Sequence, residues 1–125
     1  MSNFKEISKT ELEIMEFMWN SPTAKTHVEL LDYFNSVKLR DWKPQTLTTY
    51  TSRLMDKRLL KAEQKGRTKH YTPALTRQEY ENEKAKGILD TLYEGSISNF
   101  IVALYDGKSV PESEIERLKK WLADK

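Results

Sequence analysis

The residues between positions 44 and 72 have types and spacing suited to one kind of chemistry, the binding of a polyanion. Gln45, Thr46, Thr48, Thr49 and Ser52 are five short polar side chains, with no Glu among them, on the outward face of a stretch with helical periodicity. Threonine is a poor helix former, and solubility alone would favour Lys or Glu at such positions. Hydroxyls and carboxamides instead donate to and accept from base edges and phosphates. A cationic set surrounds this face. Residues 43–71 carry eight basic and two acidic groups, a net of +6, whereas 1–42 and 76–125 are each −2, so the overall +2 conceals the block. Phosphates reward clustered cations. On charge alone, a solvated lysine-rich surface explains the block equally well.

Other chemistries find little support. The 125 residues contain no cysteine, which removes a disulfide framework, a thiolate metal site and a cysteine nucleophile. His27 and His70 are the only imidazoles, and neither has a plausible partner within a few residues, so no metal centre, cofactor or catalytic set is expected. His70 reads as a polar residue of the basic segment. There is no glycine-rich phosphate loop and no serine in a nucleophile-elbow context. The carboxylates are spread along helix surfaces, so the chain is not expected to be an enzyme. MSNFKEISKT lacks the basic-then-apolar pattern of an export signal, and no apolar run approaches the roughly 20 residues that span a bilayer. A cytoplasmic protein without membrane insertion is the expectation.

The elements that must position the polar face can be read from their starts. Ser8 with Glu11, Thr26 with Glu29, Thr76 with Glu79 and Ser109 with Glu112 all match the capping-box spacing. After Ser8, the residues Leu12, Met15, Met18 and Trp19 give a first helix one apolar face. After Thr26, Leu30, Phe34 and Val37 repeat the pattern, with Val28 and Leu31 broadening it. A third helix is predicted over 44–58, with Pro44 in its first turn and Leu47, Tyr50, Thr51 and Leu54 facing inward. Two extended segments, 59–64 and 68–72, flank Lys65-Gly66-Arg67 as a turn. Three helices and a basic hairpin are the parts of a winged helix-turn-helix. In that arrangement the third helix, with Gln45, Thr46, Thr48 and Thr49 on its outward face, enters the major groove, and Lys65, Arg67 and Lys69 of the wing meet phosphates.

The fold class expected is therefore mostly α with a small β-hairpin wing, in two domains: a winged-helix domain over 1–75 and a helical segment over 76–125. The latter holds a long helix from Thr76 toward Leu92, a short apolar helix over 96–105 and a last helix after Ser109. About fifty residues in three amphipathic helices cannot enclose an adequate core alone. They either pack on the N-terminal domain or bury their apolar stripes against a second copy; the second is favoured, with Leu89, Leu92, Phe100, Ile101, Leu104, Ile115, Leu118 and Leu122 assigned to dimerisation. A two-fold dimer sets two recognition helices about one DNA turn apart. A winged-helix interaction module that binds no DNA is the alternative, distinguished by the salt dependence of its affinity for random duplex. RNA binding is disfavoured, since no aromatic-studded sheet is present to stack unpaired bases.

Several segments resemble the penicillinase repressor family: ISKTELEIMEFMW at 7–19, TLTTYTSRLMDKRLL at 46–60, GRTKHYTP at 66–73, LYEG at 92–95 and IERLKKWL at 115–122. The resemblance covers nearly the whole chain. It implies a homodimeric repressor on an inverted-repeat operator in double-stranded DNA, of β-lactam-resistance or related genes. It also implies that Gln45, Thr46, Thr48, Thr49 and Arg53 lie on the recognition helix. Members of the β-lactam-responsive branch commonly carry Arg where this chain has Thr48, so the operator sequence does not carry over. The copper-responsive branch binds metal through C-terminal cysteines, which are absent here. In the β-lactam branch a sensor-linked protease cuts an Asn–Phe bond; aligned on Gly95, the corresponding bond is Ala103–Leu104. An Asn99-Phe100 pair stands about one turn earlier, and an ordinary apolar helix explains the segment as well.

Overall fold

The computed structural model describes residues 6–125; Met1–Lys5, half of the stretch read for an export signal, lie outside the described residues. The chain runs α1 (Lys9–Trp19), β1 (Lys25–Thr26), α2 (His27–Ser36), α3 (Pro44–Asp56), β2 (Leu60–Lys65), β3 (Thr68–Pro73), α4 (Arg77–Tyr93), α5 (Ile97–Asp106) and α6 (Glu112–Ala123). This is the expected mostly helical architecture with a β wing. The sheet gains one strand on the sequence reading: β1 pairs antiparallel with β3, Lys25 opposite Tyr71 and Thr26 opposite His70, in the order β1-β3-β2.

Three of the four expected capping boxes form. At α1 the Glu11 N–H donates to Ser8 Oγ at 3.1 Å and the Ser8 N–H to Glu11 Oε1 at 2.7 Å. Thr26 with Glu29 and Thr76 with Glu79 close in the same way. Ser109 does not cap. Helix α6 begins at Glu112 with Pro111 at its N-cap, and the Ser109 hydroxyl turns back to the Gly107 carbonyl. A cap at Ser109 would require Val110 to be helical, and the ring of Pro111 disfavours that conformation in the residue before it.

The core joins Ile14, Met15 and Met18 of α1 to Leu30 and Phe34 of α2, Leu47 and Leu54 of α3, and Leu59, Leu60, Tyr71 and Tyr80. Two residues expected on the inner face of α2 lie outside it. Val37 is the C-cap, beyond the last turn, and is 63% exposed; Val28 is 74% exposed. Val28 sits two residues before Leu30, about 200° around the helix, so both cannot face inward.

Between α2 and α3, Asn35 clamps the chain through both amide atoms. Its Oδ1 accepts from the Trp42 N–H at 2.6 Å and its Nδ2 donates to the Trp42 carbonyl at 2.9 Å. The Trp42 ring then stacks on Phe34, centroids 4.7 Å apart, and leans on Tyr50 at 5.2 Å. Helix α3 stops at Asp56 rather than 58. Arg58 takes φ +63°, its N–H donates to the Met55 carbonyl and that of Leu59 to the Leu54 carbonyl, both at 3.0 Å. This is a Schellman ending with arginine where glycine is usual, and buried Leu59 and Leu54 supply its apolar contact.

The chain divides into two compact units, the first reaching Lys84 and the second spanning 85–125. The boundary drawn on the sequence at 75/76 falls at the start of α4. The first turns of that helix stay with the first unit because Trp19 holds them: its Nε1–H donates to the Leu75 carbonyl at 3.0 Å, its ring meets Tyr80 at 5.3 Å, and the Arg77 guanidinium lies 5.1 Å above it. In the second unit neither α5 nor α6 contains a buried residue.

Glu11 does more than cap α1. Its side chain is 3% exposed and accepts from Lys57 Nζ at 2.9 and 3.2 Å, so it ties the start of α1 to the end of α3. Burial pushes its carboxyl up, but the Ser8 N–H and the Lys57 ammonium outweigh that and hold it below the usual carboxylate range. A carboxylate that ionises more readily folded than unfolded contributes fully at neutral pH, and the contribution is lost as pH falls through the folded value. Glu11→Gln is expected to lose about 3 kcal/mol of stability in urea denaturation at pH 7. The gap to the unsubstituted chain should narrow on acidification below about pH 4; a gap that stays constant would mean the ion pair is not its source.

Candidate nucleic-acid interface

Helix α3 presents two chemically distinct sides. Leu47, Thr51 and Leu54 are buried and Tyr50 is half-buried, while Gln45, Thr48, Thr49, Ser52 and Arg53 are exposed. Thr46, expected on the outer face, is half-buried at its edge. The exposed threonines are not free rotors. Thr48 Oγ1 donates to the Pro44 carbonyl and Thr49 Oγ1 to the Gln45 carbonyl, both at 3.1 Å, and buried Thr51 donates to the Thr48 carbonyl. Such back-bonding satisfies each hydroxyl proton within the helix and leaves the oxygen lone pairs of exposed Thr48 and Thr49 as acceptors.

The wing is tighter than the sequence suggested. Lys65 pairs with Thr68 as the last residue of β2, so the turn consists of Gly66 and Arg67 alone. Gly66 has φ +64°, the position at which a two-residue type II′ turn requires glycine. Gln64 Nε2 braces the tip by donating to the Gly66 carbonyl at 3.1 Å. Every residue from Lys61 to Lys69 is exposed, which places Lys65, Arg67 and Lys69 together at the tip. His70, by contrast, is half-buried, and its Nδ1 is enclosed without a hydrogen-bond partner among the described residues.

Of the eight cations in 43–71, Lys57 is bound to Glu11. Among the described residues, none of Lys43, Arg53, Arg58, Lys61, Lys65, Arg67 and Lys69 enters an ion pair. Their charge is available to an external anion. One residue of this surface escaped the sequence reading. His27, at the start of α2, sets its Nε2 3.2 Å from Thr48 Oγ1. Nothing local signals that contact, because it spans two helices.

The residues assigned to dimerisation lie in or lead into the second unit. Leu89, Phe100, Ile101, Leu104, Ile115 and Leu118 are half-buried, and Leu92 and Leu122 are 68% and 56% exposed. Tyr93 meets Phe100 at 5.1 Å. Ala103–Leu104 and Asn99–Phe100 both fall within α5, the Asn99 N–H donating to the N-cap hydroxyl of Ser96 at 3.1 Å. No cluster that could hold a metal ion occurs among the described residues, nor is any helix long and apolar enough to cross a membrane.

A helix-turn-helix whose second helix is polar outward, followed by a basic two-stranded wing, defines a winged-helix DNA-binding protein. The chain belongs to the penicillinase repressor family, whose profile matches residues 7–124. Members of this family are DNA-binding transcriptional repressors, not enzymes. The chain is 27% identical over 124 residues to the penicillinase repressor of Bacillus licheniformis, covering 99% of this chain and 94% of that one. It is 22% identical to the methicillin resistance regulatory protein MecI of Mammaliicoccus sciuri, covering 96% and 95%. Among solved structures, the DNA-binding domain of the repressor BlaI matches with TM-score 0.53 and 30% identity, over 64% of this chain and 94% of that domain. The Bacillus licheniformis BlaI monomeric form in complex with the blaP half-operator matches with TM-score 0.51, the same identity and the same coverage.

A wing residue that meets only phosphate carries no sequence information. Arg67→Ala should therefore weaken binding to all duplexes about equally and reduce the slope of log affinity against log salt by about one. Loss confined to one sequence in a binding titration would instead place Arg67 at a base.

Proposed function

We propose that the protein acts in the cytoplasm as a homodimeric repressor on an inverted-repeat operator. Each α3 lies in a major groove, reading with Gln45, Thr46, Thr48, Thr49 and Arg53. Each wing holds the adjacent backbone with Lys65, Arg67 and Lys69. The observation that carries this reading is the seven cations that, among the described residues, enter no ion pair, around an exposed Thr/Gln face. Affinity for phosphates and discrimination among bases are thereby supplied by separate residues of one surface. The half-operator complex of the Bacillus licheniformis relative supports DNA as the partner.

Residues 85–125 are the dimerisation segment in this reading. Apolar side chains with no buried member in α5 or α6 gain burial when a second copy presents the same face. A sensor-linked protease is the partner that family membership suggests for releasing the operator. In this chain both Ala103–Leu104 and Asn99–Phe100 are helical, so α5 would have to open before either bond entered a protease cleft.

The full-length protein, offered a random-sequence duplex library, should enrich two dyad-related half-sites with centres separated by whole helical turns. Leu92→Glu combined with Leu122→Glu should shift the chain to monomer in sedimentation. Affinity for the selected duplex should fall roughly 100-fold, while affinity for a single half-site is kept. A variant that remains dimeric, or a selected sequence lacking dyad symmetry, overturns the assignment.

A further inference from the structure

Thr48 and Thr49 are adjacent on α3, both exposed, and both donate their hydroxyl proton to the carbonyl four residues earlier. A hydroxyl has one hydrogen and two acceptor lone pairs. Thr49 therefore still offers an acceptor to any donor that approaches it. Thr48 is different, because His27 Nε2 lies 3.2 Å from its oxygen. With the proton of Thr48 donated to Pro44 and His27 in its Nε2–H tautomer, the oxygen accepts from the imidazole, which fills one of the two acceptor sites that Thr49 leaves open. Rotating the Thr48 side chain about Cα–Cβ would break both contacts at once, so two partners hold its rotamer. Its γ-methyl is thereby held in one position, beside a single remaining acceptor lone pair.

We propose that Thr48 is an apolar reader whose γ-methyl packs against the C5-methyl of a thymine in the major groove. His27 is the positioning residue that keeps the Thr48 hydroxyl turned away. Thr49, which among the described residues has no hydrogen bond to a second element, reads by hydrogen bond. The inference rests on α3 occupying the major groove, as proposed above. Thymine is the one base with a methyl group on its major-groove edge, and apolar contact is the way proteins detect it. Two threonines of identical chemistry thus acquire different specificities from one residue on another helix.

The test uses the full chain and the duplex it selects from a random-sequence library, resynthesised with each thymine replaced singly by uracil, which lacks only the methyl. One position should lose roughly three- to five-fold in affinity per half-site, the size expected for one buried methyl contact. Thr48→Ser, which keeps the hydroxyl and removes the methyl, should bind thymine and uracil duplexes equally at that position. His27→Ala should shrink the thymine-to-uracil ratio, because the Thr48 rotamer is then held by the Pro44 carbonyl alone. Adding Thr48→Val to His27→Ala should restore it, since valine places a methyl there in either orientation. A purely structural role for His27 would give no such rescue. A selected duplex insensitive to every uracil, or a ratio that survives Thr48→Ser, overturns this proposal and leaves the major-groove placement intact. Salt-sensitive binding with no sequence enriched overturns both.

Discussion

The placement of the reading helix depends on the buried carboxylate of Glu11. It closes the N-terminus of α1 through Ser8 and holds Lys57, the residue that follows the last one of α3. Immediately beyond, Arg58 reverses the chain at φ +63° and Leu59 drops into the core, so the launch point of β2 is fixed by the same tie. One ion pair thereby ties the end of α3 to the start of α1, one residue before the chain reverses toward the wing. Taking a carboxylate out of water is costly, and the cost is met here by a backbone N–H and an ammonium at hydrogen-bond distance. An apolar pair would fill the same space without directional bonds.

The same residue shows what local reading of a sequence reaches. Ser8, Thr26 and Thr76 were legible as helix starts because a hydroxyl and a carboxylate three residues apart satisfy each other within one turn. Ser109 has the same signature, but it failed because Pro111 intervenes, a local effect that the spacing rule does not contain. Strand β1 was not legible, since two residues have no periodicity and their partners are at 70 and 71. The polar face of α3 and the basic wing were legible by composition. That Lys57 alone among the eight cations is turned inward, and that His27 reaches Thr48, are facts of tertiary contact across 46 and 21 residues. Residue type alone does not separate a cation spent on the fold from one left for a ligand.

The two units divide the energetics. All of the fully buried apolar residues, from Ile14 to Tyr80, lie in the first unit, which therefore has a core of its own. The second unit has amphipathic helices whose apolar residues are at best half-buried. Val102, Tyr105, Trp121 and Leu122 are all more than half exposed, and a surface of that kind gains from being covered. The proposed dimer would leave each winged-helix unit intact, so association would be separable from the surface proposed to recognise sequence.

A reading face made of Thr, Ser and Gln has a particular physical character. Members of the family's β-lactam branch commonly place Arg where Thr48 stands, and a guanidinium reaches far and reads guanine with two donors. It also surrenders much rotamer freedom when held in a groove. A threonine reaches little, so the helix backbone itself must come close to the bases, which an uncrowded face allows and the surrounding cations promote. In exchange little freedom is lost, because the Thr48 and Thr49 hydroxyls are already fixed by the carbonyls of Pro44 and Gln45 before any DNA arrives. Preorganisation of this sort favours shape and methyl contacts over long charged reach. The attraction that draws the helix in then rests on the residues around it, on Lys43 at its N-cap, Arg53 in its last turn and the tip of the wing.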